Sequence, residues 1–475
     1  MGFRVEREDR PDVRGRGVQV RGLMLLVALV SVGSGTHPRR ASAGAAGRDR
    51  PPNIVLILAD DLGAECLNSY GGTSYRTPNL DALARSGVRF TNAFSTPLCS
   101  PSRVELMTGR YGFRTGWTRL IEGKDDYLDP REETTFARVL KAAGYATAVA
   151  GKWQLCGFDQ HPDHAREVGF DESCLWAWLL DRGKTSRYWN PAVWQDGVER
   201  KDVAERYGPD VYREFLIDFM TRHRDVPFFA YYPMALVHGP FEPTPDGARA
   251  QDRRARRGRG DPAHFADMVA YMDKEVGEIV AALGRNGLLD HTLVIFTGDN
   301  GTPRQITSML GETPLPGGKG QMTDAGTRVP LIASWKGTIA PGRVCEDLIN
   351  FCDVLPTFVD VAGARRPDGV TIDGQSFAPQ LFGQPGTPRD WAFVRLGDRR
   401  FVRDRRWKLH GDGRLHDMRA DPLERTPQPA DAGGEANEAR HRLRGVMDRL
   451  EEEGAGGPSE RRGRRRAAKA SEGGK

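Results

Sequence analysis

The stretch NIVLILADD, residues 53–61, decides how this chain is built. Ile54 to Leu58 is an unbroken apolar run with no polar face. A strand with one face in water alternates apolar and polar residues. A continuous apolar run belongs instead to a parallel strand covered by helices on both sides. The run stops at two adjacent carboxylates, Asp60 and Asp61. In open α/β sheets ligands gather beyond the carboxyl ends of the strands. The change from apolar to acidic therefore marks both a strand end and a candidate site.

The same grammar recurs downstream. Thr77-Pro78 opens a helix with a capping residue and a proline at its first position. Leu80, Leu83 and Ala84 form its apolar stripe, and Gly87 ends it. Thr134 or Thr135 caps another, with Phe136, Val139, Leu140 and Ala143 inside and Gly144 at its end. YATAVAGK, residues 145–152, is a strand ending at Lys152, and FFAYYPMALVH, residues 228–238, is a strand leading to His238. From Phe265 the apolar positions keep a helical period. TLVIFTGDN, residues 292–300, is a second buried strand, ending at Asp299-Asn300. Strands alternating with helices imply an α/β fold with a large, mostly parallel sheet flanked by helices. Residues 50–369 form that domain. FVRLGDRRFVRDRRWKLHGDGRLHDM, residues 393–418, reads instead as short, turn-linked strands. It predicts a smaller C-terminal antiparallel-sheet subdomain over residues 370–428, with residues 429–475 a helical or disordered basic tail.

The apolar run at residues 23–32 is shorter than the ~20 residues needed to span a bilayer. Ala41-Ser42-Ala43 follows as a small-residue cleavage pattern. Residues 1–43 are read as a signal peptide, with an uncleaved anchor as the alternative. The mature chain is expected to be exported, periplasmic or secreted, with no transmembrane segment. The formal charge of +5 is concentrated at the ends, with 8 Arg against 4 acidic residues in 1–43 and 7 Lys/Arg against 2 Glu in 455–475. The body between them is net acidic, which excludes a nucleic-acid partner, whose binder carries positive charge on the fold. Six cysteines without a CxxC repeat make neither a zinc ribbon nor a disulfide scaffold.

Asp60, Asp61, Lys152, His238, Asp299 and Asn300 all fall at or just past predicted strand ends, so they share one rim. Either acidic pair alone reads as a strand terminus or a turn. Together they offer only oxygen ligands, which suits Ca²⁺ or Mg²⁺ rather than zinc. Gly317-Gly318-Lys319-Gly320 adds a lysine on a flexible loop without the P-loop spacing. Two lysines, an arginine and a histidine around a cation make a site for a tetrahedral oxyanion.

FSTPLCSPSRVELMTGRYG, residues 94–112, contains Cys99-Ser100-Pro101-Ser102-Arg103 and then Thr108-Gly109-Arg110. This resembles the sulfatase signature C-x-P-S-R with its downstream T-G-R. NIVLILADDLG, TPNLDALARSGVRFTNAF, GKW, VIFTGDNG, GGKGQMTDAGTRVP and RWKLHGDGRLHDMRADP resemble the family's other blocks in order, over residues 53–422. The resemblance implies an arylsulfatase-like enzyme of the alkaline phosphatase-like superfamily. In that family the signature cysteine is converted to formylglycine by a formylglycine-generating enzyme. One hydroxyl of the hydrated aldehyde attacks the sulfate ester, and the other lets the diol collapse and expel sulfate. Carried over residue by residue, Cys99 is the nucleophile as formylglycine. Asp60, Asp61, Cys99, Asp299 and Asn300 bind Ca²⁺, with Mg²⁺ the less favoured ion. Arg103 stabilises the formylglycine hydrate. Lys152 and Lys319 hold sulfate oxygens, and His238 with Lys319 faces the leaving group.

One position departs from the pattern. Family members often have a histidine two residues after the matching lysine, where it is thought to help collapse the diol. This chain has Gln154, which is no general base. His161 or His164, two histidines just downstream, offers a substitute, with a plain polar loop as the equal alternative. A phosphate or phosphonate ester hydrolase, and a non-catalytic binder of sulfated glycan, remain as competing readings. The substrate is expected to be a sulfated carbohydrate or aryl sulfate. Its selection is expected from Trp176-Ala177-Trp178, from TSRYWNPAVW (residues 185–194, where Trp189 and Trp194 are either sugar-stacking rings or, more commonly for such residues, buried aromatics) and from the charged loop at residues 248–261.

Overall fold

The computed structural model describes residues 50–123, 126–247, 260–455 and 457–458. The expected signal peptide, most of the charged loop at 248–261 and the basic tail beyond residue 458 lie outside the described residues. Asn53–Ala59 is a strand buried along its whole length. It pairs in parallel with Thr292–Gly298 on one side and Phe228–Pro233 on the other. Ala146–Lys152 and Glu172–Trp176 extend the parallel block. Beyond Thr292–Gly298 lie Arg328–Ser334, Val88–Phe94 and Arg343–Asn350, and Val193–Gln195 and Val198–Glu199 close the other edge of a ten-stranded sheet. All strands but Arg328–Ser334 and Val193–Gln195 run the same way.

The side chains of the central strand serve two cores. Ile54, Leu56 and Leu58 face one, with Phe136, Phe229 and Phe358. Val55, Ile57 and Ala59 face the other, with Leu80, Met272 and Ile279. Each such fully buried large apolar side chain stabilises the fold by about 1.5–3 kcal/mol, so an unbroken apolar run is what a doubly covered strand requires. The helices Phe136–Ala142 and Val354–Ala362 cover the first face, and Pro78–Arg85, Gly208–Arg222 and Phe265–Arg285 cover the second.

Two local expectations differ from what forms. Thr77 does not cap the helix Pro78–Arg85 with its side chain. Its hydroxyl is taken by Asn68, and Asp273 of the neighbouring long helix accepts from the N–H groups of Asn79 and Leu80 at 3.0 and 2.8 Å. A carboxylate is the better partner for a helix N-terminus. The stretch 228–238 is strand only to Pro233. Past it, Leu236 and Val237 exchange backbone hydrogen bonds with Asp60 instead of extending the ladder. By contrast Thr135 caps its helix, accepting from the Arg138 N–H, and Gly144 takes a positive φ of 88° as that helix ends.

Ala392–Leu396, Arg399–Arg403, Trp407–His410 and Leu415–Asp417 form a four-stranded antiparallel sheet. The helix Gly434–Gly454 lays Ala439, Leu443, Met447 and Leu450 on Phe393, Val402 and Leu409, and Tyr111 and Phe113 from the main domain join the same core. All six cysteines are free thiols.

Candidate active site and metal centre

The rim is assembled by strand ends. Asp60 and Asp61 follow Asn53–Ala59, Asp299 and Asn300 follow Thr292–Gly298, and Lys152 ends Ala146–Lys152. Cys99 is the first residue of the helix Cys99–Thr108 and is buried. The turn before it is held by Ser102, whose hydroxyl donates to the Thr96 carbonyl at 2.8 Å. One donor atom each from Asp60, Cys99 and Asp299 lie within 4.8 Å of one another, and Asp60, Asp61 and His238 form an overlapping trio.

Basic side chains clamp the carboxylates. Lys152 Nζ lies 2.8 and 2.7 Å from the two oxygens of Asp60. Lys319 Nζ lies 2.6 Å from Asp61 Oδ2, and His238 Nε2 lies 3.6 Å from the same oxygen. Arg103, only 1% exposed, donates to Asp299 Oδ2 through Nε at 3.1 Å and Nη2 at 2.8 Å. Its Nη2 also lies 3.5 Å from Asp60.

Electrostatics separate the three acids. Burial raises the carboxyl of Asp60, but Lys152, His238, Arg103 and Arg187 outweigh it and hold the group below the usual carboxylate range. Asp61 is likewise held down against burial, by His238 and Lys319. Asp299 goes the other way, to about 7, because burial and the neighbouring Asp60 prevail over Arg103 and Lys152. Burial and Arg187 together push His238 down to about 3, so its imidazole is neutral at ordinary pH. Burial alone would lower Lys319, but Asp61 raises it above the usual lysine value.

The donor chemistry fits a hard cation. Asn300 gives its amide N–H to Asp61 Oδ1 at 2.8 Å, and its Oδ1 is buried with no hydrogen-bond partner among the described residues. A buried carbonyl oxygen left over beside carboxylates is a donor that a hard cation would use.

Sequence reasoning missed Arg187. It lies 3.3 Å from Asp60 Oδ2 and stacks on Trp176 at 4.1 Å. Its one legible signal was being the sole charged residue in the aromatic stretch 185–194. Trp176, Trp178, Arg187, Trp189, His238 and Glu242 line a cavity of about 810 Å³ that opens onto the rim. Trp194 is not in it, because its ring stacks on Phe158 at 5.5 Å. Burial pushes Glu242 up to about 7, and its Oε2 has no partner among the described residues.

Gln154 lines the cavity with a positive φ of 51°, its Oε1 3.6 Å from Cys99 Sγ. The expected histidine substitutes do not reach it. His164 is buried with both ring nitrogens engaged, one by Trp153 Nε1 at 3.0 Å and one by the Leu128 carbonyl at 2.7 Å. His161 stacks on Tyr127 at 4.0 Å, and neither histidine lines the cavity.

A mostly parallel sheet whose strand ends gather carboxylates, basic groups and a buried cysteine around one centre has the fold of the alkaline phosphatase-like class. Residues 52–364 match the Sulfatase family model. The chain is 38% identical to arylsulfatase A of Homo sapiens over 368 residues, covering 72% of this chain and 70% of that protein. It is 32% identical to N-acetylgalactosamine-6-sulfatase of Canis lupus familiaris over 379 residues, covering 75% and 70%. The crystal structure of Ps i-CgsB superposes with a TM-score of 0.72 at 25% identity, covering 86% of this chain and 93% of that one. The chain belongs to the sulfatase family and is a sulfuric ester hydrolase. Among the described residues no helix is long and apolar enough to cross a membrane.

Proposed function

We propose that this protein hydrolyses the sulfate ester of a sulfated carbohydrate or an aryl sulfate, using formylglycine at residue 99 beside a bound Ca²⁺. The observation that carries the reading is the convergence of one donor atom each of Cys99, Asp60 and Asp299 within 4.8 Å, next to Asn300, whose buried Oδ1 has no partner among the described residues. Asp60, Asp61, Asp299, Asn300 and residue 99 would hold the cation, which supplies positive charge to a sulfate oxygen and acidifies the attacking hydroxyl. Formylglycine, made by a formylglycine-generating enzyme, supplies a nucleophile with a built-in exit.

The chain's own groups do the rest. Lys152 and Lys319 bind sulfate oxygens. Arg103 orients residue 99 and keeps Asp299 from repelling the substrate. Lys319, held protonated by Asp61, neutralises charge on the departing alcohol oxygen. His238 is fixed by its hydrogen bond to the Gly239 carbonyl at 2.5 Å and orients that oxygen through Nε2. The Trp-lined cavity takes the remainder of the substrate. The relatives named for an arylsulfate and for a sulfated amino sugar support both substrate types. Export under residues 1–43 belongs to the same reading.

The test is the mass of the tryptic peptide spanning residues 90–103, from protein made in its own host, alongside turnover of an aryl sulfate. An aldehyde at residue 99 with chelator-sensitive turnover is expected. An unmodified thiol in the native protein would refute this route and favour a glycan-binding role.

A further inference from the structure

A second cluster of ligating groups lies in the C-terminal subdomain, apart from the sulfate-ester rim. Trp407–His410 and Leu415–Asp417 are neighbouring strands, with Lys408 opposite His416. His410, two residues along from Lys408, presents the same face of the sheet. Glu424 reaches back over that face, and its Oε2 lies 3.0 Å from His410 Nε2. One donor atom from each of His410, His416 and Glu424 lies within 4.8 Å of the other two.

His416 is fully buried. Its Nδ1 faces Asp421 Oδ2 at 3.5 Å, while its Nε2 has no partner among the described residues. A histidine that turns one nitrogen to a carboxylate and leaves the other bare is arranged as metal-binding histidines are. The second oxygen of Glu424 is already engaged, accepting from Lys408 Nζ at 2.8 Å and from the Asp324 N–H at 2.6 Å. Only Oε2 is left to coordinate.

We propose that His410, His416 and Glu424 bind a zinc ion through two imidazole nitrogens and one carboxylate oxygen, with Asp421 orienting His416 from behind. Two nitrogens and a carboxylate oxygen form a known zinc set, with water at the fourth position. Bonds of about 2.0–2.1 Å in a tetrahedron place donors roughly 3.3 Å apart, close to the 3.0 Å between His410 and Glu424. The site also has a mechanical role. Asp324 accepts from Lys408 at 3.0 Å and from Arg403 at 2.6 Å, and it follows Lys319 by five residues. Fixing Glu424 therefore steadies the segment that carries Lys319.

The test uses the full chain in excess Ca²⁺, titrated with Zn²⁺ alone against a chromophoric chelator. One equivalent bound beyond calcium is expected, with an X-ray absorption spectrum showing two imidazoles. The rim offers one histidine, so two imidazoles separate the sites. Asp421→Asn, which keeps every ligand, is expected to weaken zinc ~10–100-fold, and His416→Gln more. No zinc beyond the rim, a shell with a single imidazole, or unchanged affinity in both variants would overturn the proposal. The spectrum is read on the native chain, so a variant that fails to fold does not blunt the test.

Discussion

Arg103 and Asp299 form the buried pair on which the rim's charge balance turns, and a double-mutant cycle without metal measures it. Arg103→Met removes two hydrogen bonds to Asp299, at 3.1 and 2.8 Å, and a contact with the Lys152 carbonyl at 3.3 Å. Truncating one partner of a buried pair costs about 3–5 kcal/mol, because the other charge is left uncompensated. At about 2.1 cal/mol/K per residue, roughly 400 ordered residues lose on the order of 4–6 °C in Tm. The loss has a pH signature. Asp299 has its folded pKa raised to about 7, above the unfolded value near 3.8. Its favourable contribution is complete below 3.8 and fades as pH rises through 7. Removing Arg103 raises that pKa further, so the extra cost accrues above pH 7 and is smaller at pH 5 than at pH 8. Adding Asp299→Asn removes the stranded charge and should return about 2–3 kcal/mol as coupling energy. Urea unfolding in EDTA at both pH values reads all four corners. A single-variant cost below about 1 kcal/mol at pH 8, or strict additivity of the two changes, would refute the argument.

The same raised carboxyl predicts that calcium uptake displaces a proton. With a pKa of about 7 for Asp299, roughly 0.9 proton should be released at pH 6 and roughly 0.1 at pH 8, read by calorimetry in buffers of different ionisation enthalpy. Equal release at both pH values would remove Asp299 from the ligand set. Glu242 also has its folded pKa raised, to about 7 from 4.5, so it costs stability as pH rises between those values. Glu242→Gln should therefore be more stable than the native chain at pH 8 by on the order of 3 kcal/mol and nearly equal at pH 4, by urea titration. Gln154→His restores a general base on a backbone with φ of 51°, a region that histidine tolerates. It should raise kcat by ~10²-fold with KM little changed; an unchanged kcat would show that Gln154 does not limit turnover.

Much of the rim was legible because strand ends are legible. A buried strand announces itself by its apolar run, and the first charged residue after the run must lie at its end. That rule placed Asp60, Asp61, Lys152, Asp299 and Asn300 without reference to any family. It weakened wherever the chain left the sheet. His238 lies five residues past the strand's last residue, on a segment held by backbone bonds to Asp60 and Leu58 and by the Tyr188 hydroxyl on the Ala235 and His238 carbonyls. Arg187 belongs to a loop, where position follows from packing on Trp176 and not from periodicity. His164 illustrates the opposite error. It stands close in sequence to the departing position, yet Trp153 and Leu128 bury it as a structural histidine. Nearness in sequence says little about a loop residue, because its direction is set by contacts that no spacing encodes.

The charge arrangement explains why the site needs so many basic residues. Three carboxylates meet at the rim, and Lys152, Lys319 and Arg103 neutralise Asp60, Asp61 and Asp299 in turn. Arg187 leans on Asp60 as a fourth positive group and borders the cavity. Buried acids of this density could not stay ionised alone, as the upward shift of Asp299 shows. The basic residues therefore have two duties. Without metal they hold Asp60 and Asp61 ionised and limit the upward shift of Asp299. If another positive charge took over that pairing, the buried ammonium groups of Lys152 and Lys319 would be freed, already desolvated, for the oxygens of a monoanionic sulfate ester. Preorganised charge of this kind costs no rearrangement at the moment of reaction. A neutral substitute at Lys152 should accordingly harm both functions, stability in EDTA and turnover with metal, whereas a group that served binding alone would affect only the second.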